Sequence, residues 1–509
     1  MSAKQLTVII QAGGRGSRLR HHTWNKPKCL VSVRGKPILY HTLEYFGDAH
    51  FIIIGDYLFE QIEKYLKINP PGVSYELIKA TGKGTASGIK SALEKAAPNG
   101  PLLLLWSDLI VHDLPDFGQS KKPVVFTTAA FTCRWSVSNK NLMHEQPDST
   151  RGIPGVFYFP RAKMLADVPD EGEFVKWFAA SSSNHQFMQA DALEELGDFV
   201  SIEGDNERAG FCRFFNHVEV TDQVVTKTVV DKDFEDVHAK EKAWYKEVQS
   251  MGFRRIPHIY SYSPLKMQRI EGQHLFQIKD LSLREQRAVF ADYIDSLHDL
   301  HDRVRVPVNR EDISEVYIEK TLKRIESVHE IIPHTEKTSM TINGKKCRNF
   351  FHEKHRSIFN SLLPKLTPEY FCSIHGDPTY SNTMIDDKLR VWYIDPRGYF
   401  SKPGIVGDGW YDFAKFYYSA VGGYDAFNRK KFKLHVDAET VEVLIEEPMY
   451  AQTAKSVLNE YFKDDMARIE IIHGLIWLSL SGYVKDDIDS MIGAYYYGNF
   501  WLETALDRL

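Results

Sequence analysis

Short apolar runs, each too brief for a buried helix, mark the first 160 residues: Leu6–Ile10, Phe51–Ile54, Leu102–Trp106, Val124–Phe131 and Gly155–Phe159. Such runs bounded by turn residues predict buried strands. Between them the apolar positions fall at helical spacing over Pro37–Phe46, Leu58–Leu66 and Lys90–Ala96. Strands alternating with helices predict an α/β unit with a mostly parallel sheet. The pattern changes near residue 210. Phe214–Val220 and Val224–Val230 alternate as a hairpin around Thr221-Asp222-Gln223, and a charged helix is predicted over Phe234–Met251. Beyond Leu281 the chain reads as helical to its end, interrupted only around 371–398 by short strands. The boundary falls near 207–212, giving a first domain over 1–208 and a second over 209–509. The second divides into a small lobe at about 209–275 and a helical large lobe at about 276–509.

Composition narrows the class. At 43% hydrophobic and 26% charged residues the chain is globular. Its net charge of -5 argues against non-specific nucleic-acid binding, which needs a basic surface. Five scattered cysteines form neither a disulfide framework nor a paired zinc motif, which suits a reducing cytoplasm. No apolar stretch reaches the length of about 18 residues that a membrane span needs, and no secretory leader is visible. The expected partners are small-molecule substrates, with a homo-oligomer left open.

The first strand runs into Gln11-Ala12-Gly13-Gly14-Arg15-Gly16-Ser17-Arg18-Leu19, followed by Lys26-Pro27-Lys28-Cys29-Leu30-Val31. Glycines let backbone N–H groups approach phosphate oxygens, and Arg18 and Lys28 add positive charge. The spacing is not that of a dinucleotide fingerprint. The combined pattern resembles the nucleotidyltransferases that join a nucleoside monophosphate to a sugar phosphate or phosphocholine, over roughly residues 5–206. That resemblance implies an α/β Rossmann-like nucleotidyltransferase domain. It assigns the backbone of Ala12, Gly13, Gly14 and Gly16, together with Gly82 and Thr85, to the nucleotide. It gives Arg18 to the β,γ-phosphates, Lys28 to the α-phosphate and Asp108 to Mg²⁺. Ser107 stands where that family has glycine. Asp205 is the expected second metal ligand, with Asp198 competing.

Downstream, His375-Gly376-Asp377-Pro378-Thr379-Tyr380-Ser381-Asn382 has the His-x-Asp-x-x-x-x-Asn spacing of a phosphoryl-transfer catalytic loop. Asp377 would orient or deprotonate a hydroxyl, and Asn382 and Asp395 would hold Mg²⁺. Lys227 on the strand Val224–Val230 and Glu241 on the next helix, with Glu235 competing, supply the lysine–glutamate pair that positions ATP. Met267–Gly272 is a candidate hinge for adenine. The set resembles the aminoglycoside phosphotransferase and choline kinase family, implying an α+β kinase-like domain. The Asp395-Pro396-Arg397-Gly398 run departs from choline kinases. Arg397 either holds an anionic substrate group or a phosphate, or pairs with Asp408 or Asp412. The aromatic group Tyr495, Tyr496, Tyr497 and Trp501 reads as core.

Together these readings lead to a bifunctional enzyme. It would phosphorylate a small hydroxylated metabolite, a sugar or similar alcohol, with ATP. It would then couple the product to a nucleoside monophosphate from CTP, UTP or GTP, releasing pyrophosphate. The result would be an NDP-sugar or CDP-alcohol for surface glycan or capsule assembly. Two other readings compete: a choline or ethanolamine kinase joined to a CTP:phosphocholine-type cytidylyltransferase, and one active domain regulated by a silent nucleotide sensor.

Overall fold

The computed structural model describes residues 5–96, 100–181, 184–208, 216–229 and 235–509. Two compact units emerge: residues 1–208 with the segment Asp486–Asp489, and 209–485 with 490–509.

In the first unit, β1 (Thr7–Gln11), α1 (Ile38–Tyr45), β2 (His50–Gly55), α2 (Phe59–Ile68), β3 (Ser74–Lys79), α3 (Thr85–Leu93) and β4 (Leu102–Trp106) follow the alternation that the apolar runs predict. After them come β5 (Leu109–Val111), β6 (Val124–Thr127), β7 (Val156–Phe159), α4 (Phe174–Ser181), β8 (Gln186–Gln189), β9 (Leu193–Glu195) and α5 (Phe199–Arg208). Seven strands form one sheet in the order β8–β6–β7–β4–β1–β2–β3. Only β7 runs against its neighbours. The central strands β1, β2 and β4 are almost wholly buried, as strands covered on both faces must be.

Two predicted boundaries move. The strand predicted over Val124–Phe131 stops at Thr127: beyond it Thr128 N–H turns to Gly152 O, and the side chain of Asp191 takes the backbone N–H of Ala129 (2.7 Å). The helix predicted at Lys90–Ala96 begins five residues earlier, at Thr85. Tertiary bonds fix that start: Ala86 N–H donates to Gly172 O, and Phe174 N–H to the Thr85 hydroxyl (2.9 Å). Gly88 inside this helix faces Ile54 so closely that a Cβ would lie 2.4 Å from it.

Lys26 is buried in the first unit, where its ammonium meets Asp487 at 2.8 Å and also Asp489. Burial opposes its charge, but the two carboxylates override that and raise its pKa to about 12.

The second unit opens with a four-stranded antiparallel sheet. Its strands are β10 (Asn216–Val220), β11 (Val224–Val229), β12 (Ile259–Tyr262) and β13 (Leu265–Gln268), ordered β10–β11–β13–β12. Helix α6 (Glu235–Ser250) follows β11. The predicted starts at Phe214 and Phe234, and the boundary residues 209–212, lie outside the described residues. Next come α7 (Leu283–His301), α8 (Lys320–Glu326), entered through a π-helical turn at Glu315–Glu319, β14 (Ser339–Ile342), β15 (Lys345–Arg348) and α9 (Glu353–Leu366). Strands β16 (Phe371–Ser373), β17 (Thr383–Asp386) and β18 (Val391–Tyr393) flank the His375–Asn382 sequence. The chain ends with α10 (Gly409–Ala420), β19 (Phe432–Val436), β20 (Thr440–Ile445), α11 (Ala451–Tyr461), α12 (Met466–Leu480) and α13 (Ile488–Leu506). Helix α12 is buried on every side from Ile469 to Leu480, which explains its largely apolar sequence.

The expectation of strands only around 371–398 is wrong. β14, β15, β19 and β20 form a further sheet. The β14–β15 turn is Asn343-Gly344, both at positive φ, the favoured chemistry of a two-residue hairpin. Phe432–Val436 and Thr440–Ile445 bury alternate residues. Tyr495 and Tyr496 are core, with the Tyr495 hydroxyl donating to Asn349.

Candidate functional site

Each unit gathers a constellation of its own. In the first, β1 and β4 are adjacent parallel strands with Gln11 in register with Trp106. The chain leaves β1 toward β2 and β3 on one side, while β4 lies on the other. A crevice at the carboxyl ends of such strands, where the order reverses, is where open α/β sheets bind ligands. The Ala12–Gly16 turn and Asp108 both emerge there.

Local sterics dictate the glycines. A Cβ at Gly13 would lie 2.8 Å from Asp56 Cβ, and Gly16 has φ 66° with Lys28 Cβ at 3.0 Å from the same position. Gly14 has open space around it. Gly16 therefore lets the turn close onto Lys28. The Lys28 ammonium donates to Asp108 Oδ2 at 2.6 Å, with the two side chains 9% and 21% exposed. Arg18 is well exposed and reaches Glu195 at 3.5 Å.

Glu195 escaped the sequence reading. Pairing of β9 with β5 sets it opposite Leu109, and Leu196 N–H donates to Asp108 O, so the two acids become neighbours. Burial and then the Asp108 charge push its carboxyl up, against the opposing pull of Lys28 and Arg18. Two carboxylates crowded in this way fit a divalent cation. The Asp205 side chain, the expected second ligand, lies outside the described residues. Asp198 instead caps α5, accepting from Ser201 N–H at 2.9 Å.

Gly82 and Thr85 sit in a tightly held loop. Gly82 N–H donates to Ser87 Oγ (2.9 Å), Gln11 Nε2 donates to Thr85 O, and the Thr85 hydroxyl accepts from Phe174 N–H. A Cβ on Gly84 would lie 2.2 Å from Gly172 O.

In the second unit, Lys227 on β11 is buried and donates to Glu241 on α6 at 2.8 Å and to Asp395 at 2.6 Å. Burial opposes its charge, and Asp395 and Glu241 together hold its pKa well above the ordinary lysine value. Glu241, 8% exposed, is therefore the partner, and Glu235 is an exposed first-turn residue of α6. Asp395 sits after β18 at φ 55°, a left-handed conformation held partly by its N–H donating to the Tyr245 hydroxyl.

The loop carrying Asp377 hangs on Asp412, which accepts from His375 N–H (2.8 Å), Gly376 N–H (2.7 Å) and His301. Asn382 Nδ2 donates to Asp377 O and Oδ2, bringing the two residues into one grip. Lys415 on α10, absent from the sequence reading, meets Asp377 Oδ1 at 2.8 Å. Of the two fates open to Arg397, the ion pair fails. Asp408 is taken by the Tyr317 hydroxyl and Asp412 by the loop, while Arg397 donates to the Tyr411 hydroxyl at 2.6 Å.

The family model of the MobA-like NTP transferase domain matches residues 8–115. The N-terminal unit contains a nucleotidyltransferase domain. Within it the chain is similar to the mannose-1-phosphate guanylyltransferase catalytic subunit beta of Drosophila melanogaster, at 40% identity over 112 residues. That match spans 20% of this chain and 30% of the relative. It is also similar to the bifunctional protein GlmU of Methanocaldococcus jannaschii, at 33% over 110 residues, spanning 21% of this chain and 26% of that one. The chain thus spans under a third of the length of the curated relatives it matches. A crystal structure of HddC from Yersinia pseudotuberculosis complexed with GMP-PN overlaps 40% of this chain and 98% of its own, at 19% identity and a TM-score of 0.35.

Proposed function

We propose that the chain is a bifunctional enzyme in which the second unit phosphorylates a hydroxylated small molecule with ATP and the first transfers a nucleotide onto a sugar phosphate. The observation that carries the reading is the assembly of Lys227, Glu241, Asp377, Asn382 and Asp395 from four separate segments of one unit, in a chain whose other unit holds the nucleotidyltransferase domain. A sugar phosphate is favoured because the relatives named above include a mannose-1-phosphate guanylyltransferase.

In the first unit the acceptor phosphate attacks the α-phosphorus of an NTP and pyrophosphate leaves. Little covalent help is needed, so positioning and charge neutralisation do the work. Backbone N–H groups of the Ala12–Gly16 turn cradle phosphate, Lys28 offsets charge at the α-phosphate, and Arg18 reaches from the rim toward the β,γ-phosphates. Asp108, with Glu195 beside it, would hold Mg²⁺, which when bound neutralises phosphate charge and orients the pyrophosphate.

In the second unit Lys227, held by Glu241, contacts ATP phosphates. Asp377 accepts the acceptor hydroxyl's proton as its oxygen approaches the γ-phosphorus. Asn382 and Asp395 are the residues that would hold Mg²⁺ there. Lys415 keeps the Asp377 carboxylate aimed.

The test is to incubate the full chain with ATP, Mg²⁺, one of CTP, UTP or GTP, and a panel of sugars, sugar phosphates and amino alcohols. Pyrophosphate release that needs ATP, one acceptor and one NTP together is the expected result. Release that proceeds from an unphosphorylated acceptor without ATP would overturn the kinase half. Preference for choline and CTP would select the phosphocholine-type pair.

A further inference from the structure

Beside Asp377 the second unit concentrates positive charge that its carboxylates leave unmatched. Arg397 lies against the catalytic loop: its N–H donates to His375 O, and a Cβ on Gly376 would stand 2.8 Å from Arg397 Cβ. Its guanidinium lies 4.1 Å from the centre of the Tyr399 ring, and Lys320, at the start of α8, sends its ammonium to 5.5 Å from the same ring. Arg324, one turn further along α8, bonds Ser479 Oγ at 2.9 Å. Lys415 completes the group at Asp377. Among the described residues no carboxylate lies within ion-pair distance of Lys320, Arg324 or Arg397. All three are half-buried, where an unpaired charge is costly. Cations held together without counter-charge, next to the group that receives the acceptor's proton, form an anion-binding site in want of its anion.

Resting on the kinase reading above, we infer that the acceptor already carries a phosphate monoester, which Lys320, Arg324 and Arg397 bind while Asp377 takes the proton from a hydroxyl elsewhere on the same molecule. A dianion fits this group better than a carboxylate does, because its second charge draws a proton back onto Lys320, and a cationic acceptor such as choline is repelled. In the reaction the hydroxyl oxygen forms a bond to the γ-phosphorus and the bond from that phosphorus to the β,γ-bridging oxygen breaks. ADP leaves, and the proton passes to Asp377. The product bears two phosphates. The crowding shows in Lys320 itself: burial, then Arg397, Arg324 and Lys415, lower its pKa to about 6, with only Glu315 opposing.

Calorimetric titration of inorganic phosphate, with acetate in parallel, into the full chain and into Lys320→Met/Arg324→Gln tests this directly, with AMP-PNP and Mg²⁺ saturating. The expected result is a phosphate site that the variant weakens at least tenfold, that AMP-PNP leaves in place, and that acetate fills more weakly. Identical isotherms, displacement by AMP-PNP, or equal binding of acetate would overturn it. Should the double variant fail to fold, Lys320→Met alone is read the same way. ADP formation is then compared for matched pairs of a free sugar and its phosphate monoester. A lower KM for the phosphorylated member, erased in the variant, supports the inference. Preference for the free sugar overturns the inference and leaves the kinase reading intact. No ADP from either, with no AMP-PNP binding that Asp395→Asn weakens, removes the kinase reading itself.

Discussion

The two constellations are built by opposite means. In the first unit, the glycine turn, Arg18 and Lys28 lie within one stretch of chain, and the sheet's strand order supplies the crevice. In the second, Lys227, Glu241, Asp377, Asp395 and Lys415 come from a strand, two helices and two loops, tied by direct ion pairs. The first site leaves Arg18 exposed at its rim, so solvent weakens that contact. The second buries Lys227 and Glu241, so losing either partner strands a buried charge. A site built on a turn depends on backbone shape, and a site built on ion pairs depends on every member.

The sharpest break in this comparison is Asp377→Asn. It should lower acceptor-dependent ADP formation by about 10³-fold, the scale of a lost general base, while pyrophosphate release from supplied sugar phosphate and NTP stays unchanged. Next is Lys26→Ala, which leaves Asp487 and Asp489 buried without their cation. Urea unfolding should show a loss of about 3–5 kcal/mol. Lys28→Ala should cut pyrophosphate release by on the order of 10²-fold with phosphorylation intact, the mirror image of Asp377→Asn.

The smallest effect comes from Lys320. Its folded pKa of about 6 lies below the ordinary value of 10.5, so between those pH values the unfolded chain holds a proton that the folded one lacks. Stability from this group therefore rises with pH across that window. Lys320→Met should flatten that slope and stabilise the chain at pH 7 by on the order of 1 kcal/mol, read from the urea midpoint. The titratable and charged groups facing Lys320 are Arg397, Arg324, Lys415, Glu315 and Tyr399.

What was legible in the sequence follows from the same contrast. The strands of the first unit announced themselves because burial on both faces leaves continuous apolar runs, and its chemistry sits in one motif. Asp377 and Asn382 were visible for the same reason, sharing one loop. Glu195 was not, because only the pairing of β9 with β5 brings it to Asp108. Lys320, Arg324 and Lys415 were not, because helical lysines and arginines are ordinarily solvated and nothing local marks the first two as gathering at Tyr399 and Arg397 or the third as meeting Asp377. The hairpins at 339–348 and 432–445 did carry signals, an Asn-Gly turn and strict alternation, but the surrounding helical pattern masked them. The start of α3 was misplaced because tertiary bonds from Gly172 and Phe174, not local propensity, fix its first turn.

The central claim is two independent chemistries acting in sequence, and complementation in trans measures it most directly. Asp377→Asn and Lys28→Ala are prepared as folded full-length chains and given the acceptor that supports ADP formation, ATP, Mg²⁺ and NTP, first separately and then mixed. The account predicts no nucleotide-linked product from either alone, phosphorylated acceptor accumulating with Lys28→Ala, and product restored on mixing. Either substitution silencing both half-reactions, or a mixture that makes no product, would contradict it.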